Sequence, residues 1–111
     1  MNEAQPLWTP SQSSIDAANM TRFIAQLNQR HGLSIVDYDA LYQWSIDHKE
    51  IFWSEVWDFC EIIGDKGERI LIDGEDIERA QWFPDATLNF AENLLRKRND
   101  EIAIYFRAED Q

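Results

Sequence analysis

The chain has 111 residues, 44% of them hydrophobic and 28% charged, which fits one small globular domain or part of a larger one and excludes disorder by composition. Acids outnumber bases 21 to 10, giving a net charge of -11, and such a balance argues against a polyanionic partner, because phosphates are met by Lys and Arg. One cysteine, Cys60, excludes an internal disulfide framework, and no run approaches the roughly 18 apolar residues of a membrane span. With no signal-like start, the expected setting is cytoplasmic, with no nucleic acid and no membrane as partner.

Residues 1–10, MNEAQPLWTP, are expected to form an extended arm, since Pro6 and Pro10 deny a helix there. Leu7 and Trp8 are its anchors, tacking the arm to something apolar. Thr9 or Ser11 can cap a first helix over 11–31. In it Met20, Phe23, Ile24 and Leu27 form one stripe, and Gly32 stops it.

Asp37 is the cap of a second helix, with Tyr38, Leu41, Tyr42 and Ser45 on one face and Trp44 beside it. Asp47 and Glu50 form a start resembling a capping box for a third helix, ended by Gly64. Phe52, Val56, Phe59 and Ile63 make one stripe of that helix, and Trp53, Trp57 and Cys60 a second. An apolar arc this wide predicts neighbours on more than one side.

Three of the four glycines fall in 64–79, GDKGERILIDGEDIER, an acidic, turn-like segment with a short strand near 70–72. Trp82, Phe83 and Pro84 close it. Asp85 is the expected cap of a fourth helix from Ala86 to about Arg98, lined by Leu88, Ala91 and Leu95. Residues 101–107, EIAIYFR, alternate Ile102, Ile104 and Phe106 with Ala103 and Tyr105. Both faces are apolar, the pattern of a strand buried in a sheet. The chain offers it only one other weak strand, so the polypeptide is expected to continue.

Little chemistry is visible. The glycines of 64–74 lack the order of a phosphate-binding loop. His31 and His48 have no metal-ligand spacing and are expected to be capping or surface histidines. Cys60 lies on the apolar arc, as a buried small hydrophobe would. Asp73, Glu75, Asp76 and Glu78 lack the order of a calcium loop. Asn89 and Asn93 lie on one side of the last helix, where amides are expected to bond the backbone of the arm or of the preceding loop. The aromatic stripes are core or docking surface. No catalytic, cofactor-binding or metal residue is assigned.

PLWTPS, NMTRFIAQLNQRHG, YDALYQWSI, FWSEVWDF and WFPDATLNFAENLLR stand in an order and at spacings that resemble the N-terminal region of the acetoacetyl-CoA synthetase (acetoacetate–CoA ligase) family. The broader kinship is with the N-terminal module of acetyl-CoA synthetase among adenylate-forming enzymes. The resemblance covers residues 6–107. The block from Trp82 to Leu95 is its most specific part, and WTPS and RHG point to the acetoacetate branch. Asp85 departs from the small residue, such as Gly, expected in this group. The motif residues carried over are structural: Trp8, Pro10, Trp44, Phe52, Trp53, Trp82, Phe83, Pro84, Leu88, Asn89 and Asn93.

The resemblance implies a mainly α fold: an arm over 1–10, a module of about four helices over 11–98, and 99–111 as the start of an α/β domain whose sheet takes up the strand 101–107. It implies a parent ligase that uses ATP, Mg²⁺ and CoA to turn acetoacetate into acetoacetyl-CoA through an acyl-adenylate, releasing AMP and pyrophosphate. The present residues would be non-catalytic, with no cofactor of their own. Their partner would be the remainder of the polypeptide, and the edge of 101–107 would favour self-association. The alternative is a stand-alone acidic helical interaction module; mimicry of nucleic acid is a third reading.

Overall fold

The computed structural model describes residues 4–110. The elements in order are α1 Gln12–Asp16, α2 Asn19–His31, α3 Tyr38–Asp47, α4 Lys49–Phe59, β1 Gly64–Asp65, β2 Leu71–Ile72, β3 Gln81–Trp82, β4 Thr87–Leu88 and α5 Phe90–Leu94. The fold is mainly helical. Its two small antiparallel sheets pair β1 with β4 and β2 with β3.

Several boundaries follow local chemistry. Ser11 caps α1 by accepting from the Ser14 amide at 3.2 Å, and Asp37 caps α3 by accepting from the Ala40 amide at 2.8 Å. Gly32 ends α2 in the left-handed conformation, φ 61°, with nothing near its Cα to be met by a side chain. Phe23, Leu27, Ile35 and Leu41 are the buried hydrophobics. Ile24, Leu33, Ala40, Trp44, Phe52, Val56 and Phe59 pack around them, and Phe23 meets Phe52 and Phe59 edge-on. Asn28 holds the link after α2 in place. Its side chain donates to the Ile35 carbonyl and accepts from the Ile35 amide, both at 2.9 Å, as a paired strand would.

Other expectations are corrected. The single helix over 11–31 is two, because Ala18 is extended (φ -68°, ψ 144°) and the Thr21 hydroxyl donates to the Ile15 carbonyl that a continuous helix would use. Tyr38 and Tyr42 lie outside, stacked on each other, so the inward face of α3 is Ala40, Leu41 and Trp44. The capping box at Asp47 does not form: Asp47 ends α3 and accepts from Gln43, while His48 stands before α4 without capping it through its side chain. Helix α4 stops at Phe59, short of Gly64. Cys60 follows it and is exposed rather than buried, and Glu61 turns left-handed at φ 53°.

The fourth helix starts later and is shorter than its pattern predicts. Thr87 and Leu88 are drawn into pairing with Asp65 and Gly64, and Asn89 rather than Asp85 caps α5 by accepting from the Glu92 amide at 3.1 Å. The strand expected at 70–72 is β2. The strand expected at 101–107 is not formed, since no partner strand reaches it among the described residues; Ile102, Ile104, Tyr105 and Phe106 are exposed there. Residues 4–10 carry no regular structure, and Leu7 and Trp8 stand in solvent instead of tacking the arm down. Residues 1–3 of the expected arm, and Gln111, lie outside the described residues.

The chain exposes 9776 Å², where a compact monomer of 13.1 kDa would expose about 6,400 Å². Its radius of gyration is 19.0 Å, against about 13 Å for a compact domain of this length.

Candidate functional site

The second stripe of α4 positions the site. Trp53 meets Trp82 edge-on with ring centres 5.9 Å apart, and Trp57 lies against Phe83 at 5.0 Å. Segment 64–88 folds to make these contacts. β1 pairs with β4 and β2 with β3, so the chain runs out and returns beside itself. Phe83 adopts φ 45° and donates its amide to the Ile70 carbonyl at 2.7 Å, which turns its ring towards Trp57.

The glycines serve this closure. A Cβ on Gly64 would lie 2.6 Å from the Thr87 carbonyl oxygen, and one on Gly67 would lie 2.6 Å from the Asp85 Cβ. They are close-approach positions, not a phosphate cradle. Arg69 grips Asp85 through Nε, at 2.8 Å, and through Nη2; these hydrogen bonds hold the Asp85 carboxyl below its usual value.

Helix α5 is tied back to the end of α4. Asn93 accepts from the Ile63 amide at 2.8 Å and donates to the Ile63 carbonyl at 2.9 Å. Arg96 donates to the Glu61 carbonyl at 2.9 Å and to the Asn93 side-chain oxygen at 3.0 Å. The amide of Asn93 therefore bonds backbone, at the turn after α4 rather than at the arm. What remains outside is apolar: Leu88, Phe90, Leu94 and Leu95 are exposed, as are Ile102 to Phe106 beyond them. The residues expected to matter are thus divided. Phe52, Trp53, Trp82, Phe83 and Pro84 lie together, Leu88, Asn89 and Asn93 frame the adjoining end, and Trp44 stacks on His48 at 5.1 Å elsewhere. Trp8 and Pro10 stand apart on the exposed arm.

Sequence reasoning missed Glu55, the one buried charged residue among the described residues. Arg30 donates to it at 3.0 Å, His31 Nε2 at 3.1 Å and Gln26 at 3.3 Å. Burial works against ionisation of this carboxyl, but the hydrogen bonds from His31, Gln26 and Arg30 outweigh it and hold the group below the usual glutamate value. His31 is thus a surface histidine, as expected, whose ring also hydrogen-bonds across from α2 to α4. The signal was available: Glu55 stands inside the stripe Phe52, Val56, Phe59, opposite a helix that ends in Arg30 and His31.

No group of His, Cys, Asp and Glu among the described residues could hold a metal ion, and no described helix is long and apolar enough to cross a membrane. The arrangement offers apolar contact surface.

The family described as acetyl-coenzyme A synthetase N-terminus matches residues 38–94, just over half of the chain. An acetoacetyl-coenzyme A synthetase of Rhizobium meliloti is 43% identical over 111 residues, all of this chain and 17% of that protein. One from Xenopus tropicalis is 38% identical over 106 residues, covering 93% of this chain and 16% of the relative. A malonamoyl-CoA synthetase of Penicillium aethiopicum is 38% identical over 85 residues, covering 75% and 12%. No solved structure matches. The chain thus spans about a sixth of the length of the acetoacetyl-CoA synthetases it matches. These α3–α5 residues, with the hairpins between them, show that the chain belongs to the acetyl-coenzyme A synthetase N-terminus family.

Proposed function

We propose that this chain is the N-terminal module of an AMP-forming acetoacetate–CoA ligase, and that it acts there by packing rather than by catalysis. The observation that carries the reading is the match along the whole chain, at 43% identity, to only 17% of an acetoacetyl-CoA synthetase. The surface physics supports it. Trp82, Leu88, Phe90, Leu94 and Leu95, and beyond them the apolar residues 102–106, are exposed. An uncovered apolar surface of this extent marks an interface.

In this reading the remainder of the polypeptide covers that face, and residues 101–107 enter its sheet as an edge or inner strand. The parent works in a reducing, cytoplasmic setting. It forms an acyl-adenylate from acetoacetate and ATP with Mg²⁺, releases pyrophosphate, and passes the acyl group to the CoA thiol with release of AMP. The residues present do not fit ATP or Mg²⁺, since Gly64 and Gly67 are filled by Thr87, Leu88 and Asp85 and no metal-holding group exists among the described residues. Those groups belong to the rest of the enzyme. The malonamoyl-CoA synthetase relative matches 75% of the chain, and acetoacetate rests on the whole-chain relatives. Alone, the chain leaves Ile102 to Phe106 uncovered, and in this reading the isolated chain self-associates through residues 101–107.

The test is to assay the product of the complete reading frame, and of the same frame lacking residues 1–111, for AMP formed from ATP in the presence of acetoacetate and CoA. The complete product is active, the 111-residue chain alone is inactive, and the shortened product is inactive or insoluble. A reading frame that stops after Gln111 would overturn the proposal in favour of a stand-alone interaction module.

A further inference from the structure

A second apolar feature lies away from that face. Met20 and Phe23 of α2, Leu41 of α3, and Phe52, Val56 and Phe59 of α4 line an open groove, with Asn19 and Cys60 at its rim. None of these residues carries a charge, in a chain where 28% do. The arm residues 4–10, AQPLWTP, are also uncharged, and they hold Leu7 and Trp8 in solvent.

We propose that the groove is a docking seat for the chain's own N-terminal arm, which stands outside it in this structure, with the Trp8 ring entering between α2 and α4 and Leu7 beside it. Reach permits this. Residues 4–10 extend up to about 23 Å, and of the eight residues 11–18 that separate the arm from α2, the five of α1 span only about 8 Å. α1 packs on α2, and Asn19, the first residue of α2, is already on the rim. Composition permits it too. Pro6 and Pro10 restrict the free arm, so docking costs less chain entropy, and they remove two amide donors that a groove made of side chains cannot satisfy.

The competing occupant, residues 101–107, fits worse. That segment is flanked by Glu101 and Arg107, has an amide donor at every position, and is apolar on both faces, which suits a sheet. The docked arm closes the groove independently of whatever covers the Trp82–Leu95 face, so this inference stands or falls apart from the ligase reading.

The test uses the 111-residue chain. Nuclear Overhauser contacts are expected from the Trp8 ring to the Met20 and Val56 methyl groups. Alkylation of Cys60, the single thiol, by a small maleimide is expected to quicken about tenfold in Trp8→Ser, as for an arm docked about nine-tenths of the time. Absence of both methyl contacts overturns the proposal. So does an unchanged alkylation rate. So does contact seen only between differently isotope-labelled copies, which would assign the groove to a second molecule, and so does contact from Ile104 or Phe106 in place of Trp8.

Discussion

Residues 19–59 and residues 64–110 are built on different physics. In the first region Phe23, Leu27, Ile35 and Leu41 are buried, and Glu55 beside them is the buried charge. In the second, no described residue is buried. Its order comes from four two-residue strands, one bidentate ion pair, aromatic edges and the amide of Asn93. A hydrophobic core stabilises cooperatively and without a partner. Turns and exposed pairs define a shape but contribute little free energy in water. The first region therefore has a core of its own, and the second has none among its described residues.

The largest expected effect tests that division directly. Leu27 is fully buried, so Leu27→Ala should cost about 3 kcal/mol and lower the urea midpoint of the helical region sharply. Leu94→Ala, at a residue 66% exposed, should stay within about 0.5 kcal/mol in the same chain. Equal losses would show one shared core and end the comparison.

Next in size is Glu55. Glu55→Gln leaves Arg30 and His31 facing a neutral amide and should cost about 2 kcal/mol near neutral pH. Its folded carboxyl is held below its unfolded value. Its contribution is therefore complete above the unfolded glutamate value of about 4.3, and is lost as pH falls through the folded one. The gap in urea midpoint between wild type and Glu55→Gln should thus narrow as pH falls below the unfolded glutamate value. A gap that persists unchanged would mean that packing, not charge, accounts for it.

The two asparagines sharpen the comparison within one chemistry. Asn28 and Asn93 each make two hydrogen bonds to a single isoleucine, Ile35 and Ile63. Ile35 is buried and Ile63 is at the surface. Asn28→Ala should cost about 2 kcal/mol, because it strands backbone groups away from water, and Asn93→Ala about 0.5–1 kcal/mol, because water replaces the amide. Amide exchange at Ile35 and Ile63 measures each separately. Covering the second region in a larger assembly should bring the two costs together.

Local signals were legible in the sequence. Ser11, Asp37 and Gly32 act within a few residues of themselves, and the Phe23–Leu27 stripe needs only the helical repeat. What was not legible depends on distant partners. Asp85 is a sound helix cap by type, yet Arg69, 16 residues away, takes its carboxylate. Thr87 and Leu88 continue a helical pattern, yet Gly64 and Asp65 pair with them. Cys60 sits on an apolar stripe, but α4 has ended before it. The motif aromatics Trp53, Trp82 and Phe83 meet as one cluster that spacing along the chain did not reveal, while Trp8 joins nothing in this structure. Residues 101–107 read as a strand from their pattern alone, and a pattern supplies only one side of each hydrogen bond.

The smallest effect is expected at Asp85 itself. Its pair with Arg69 is exposed on both sides, so replacing it leaves no group stranded, and salt at about 0.15 M screens it over roughly 8 Å. Asp85→Asn should therefore leave the urea midpoint of the helical region where it is, and speed amide exchange only at Phe83 and Arg69, whose amides face Ile70 and Asp85. That acceleration should shrink at higher salt, since the wild-type pair is then weakened too. A midpoint shift as large as that of Leu27→Ala would mean that the ion pair transmits stability into the α2–α4 core, and the two regions would then have to be treated as one cooperative unit.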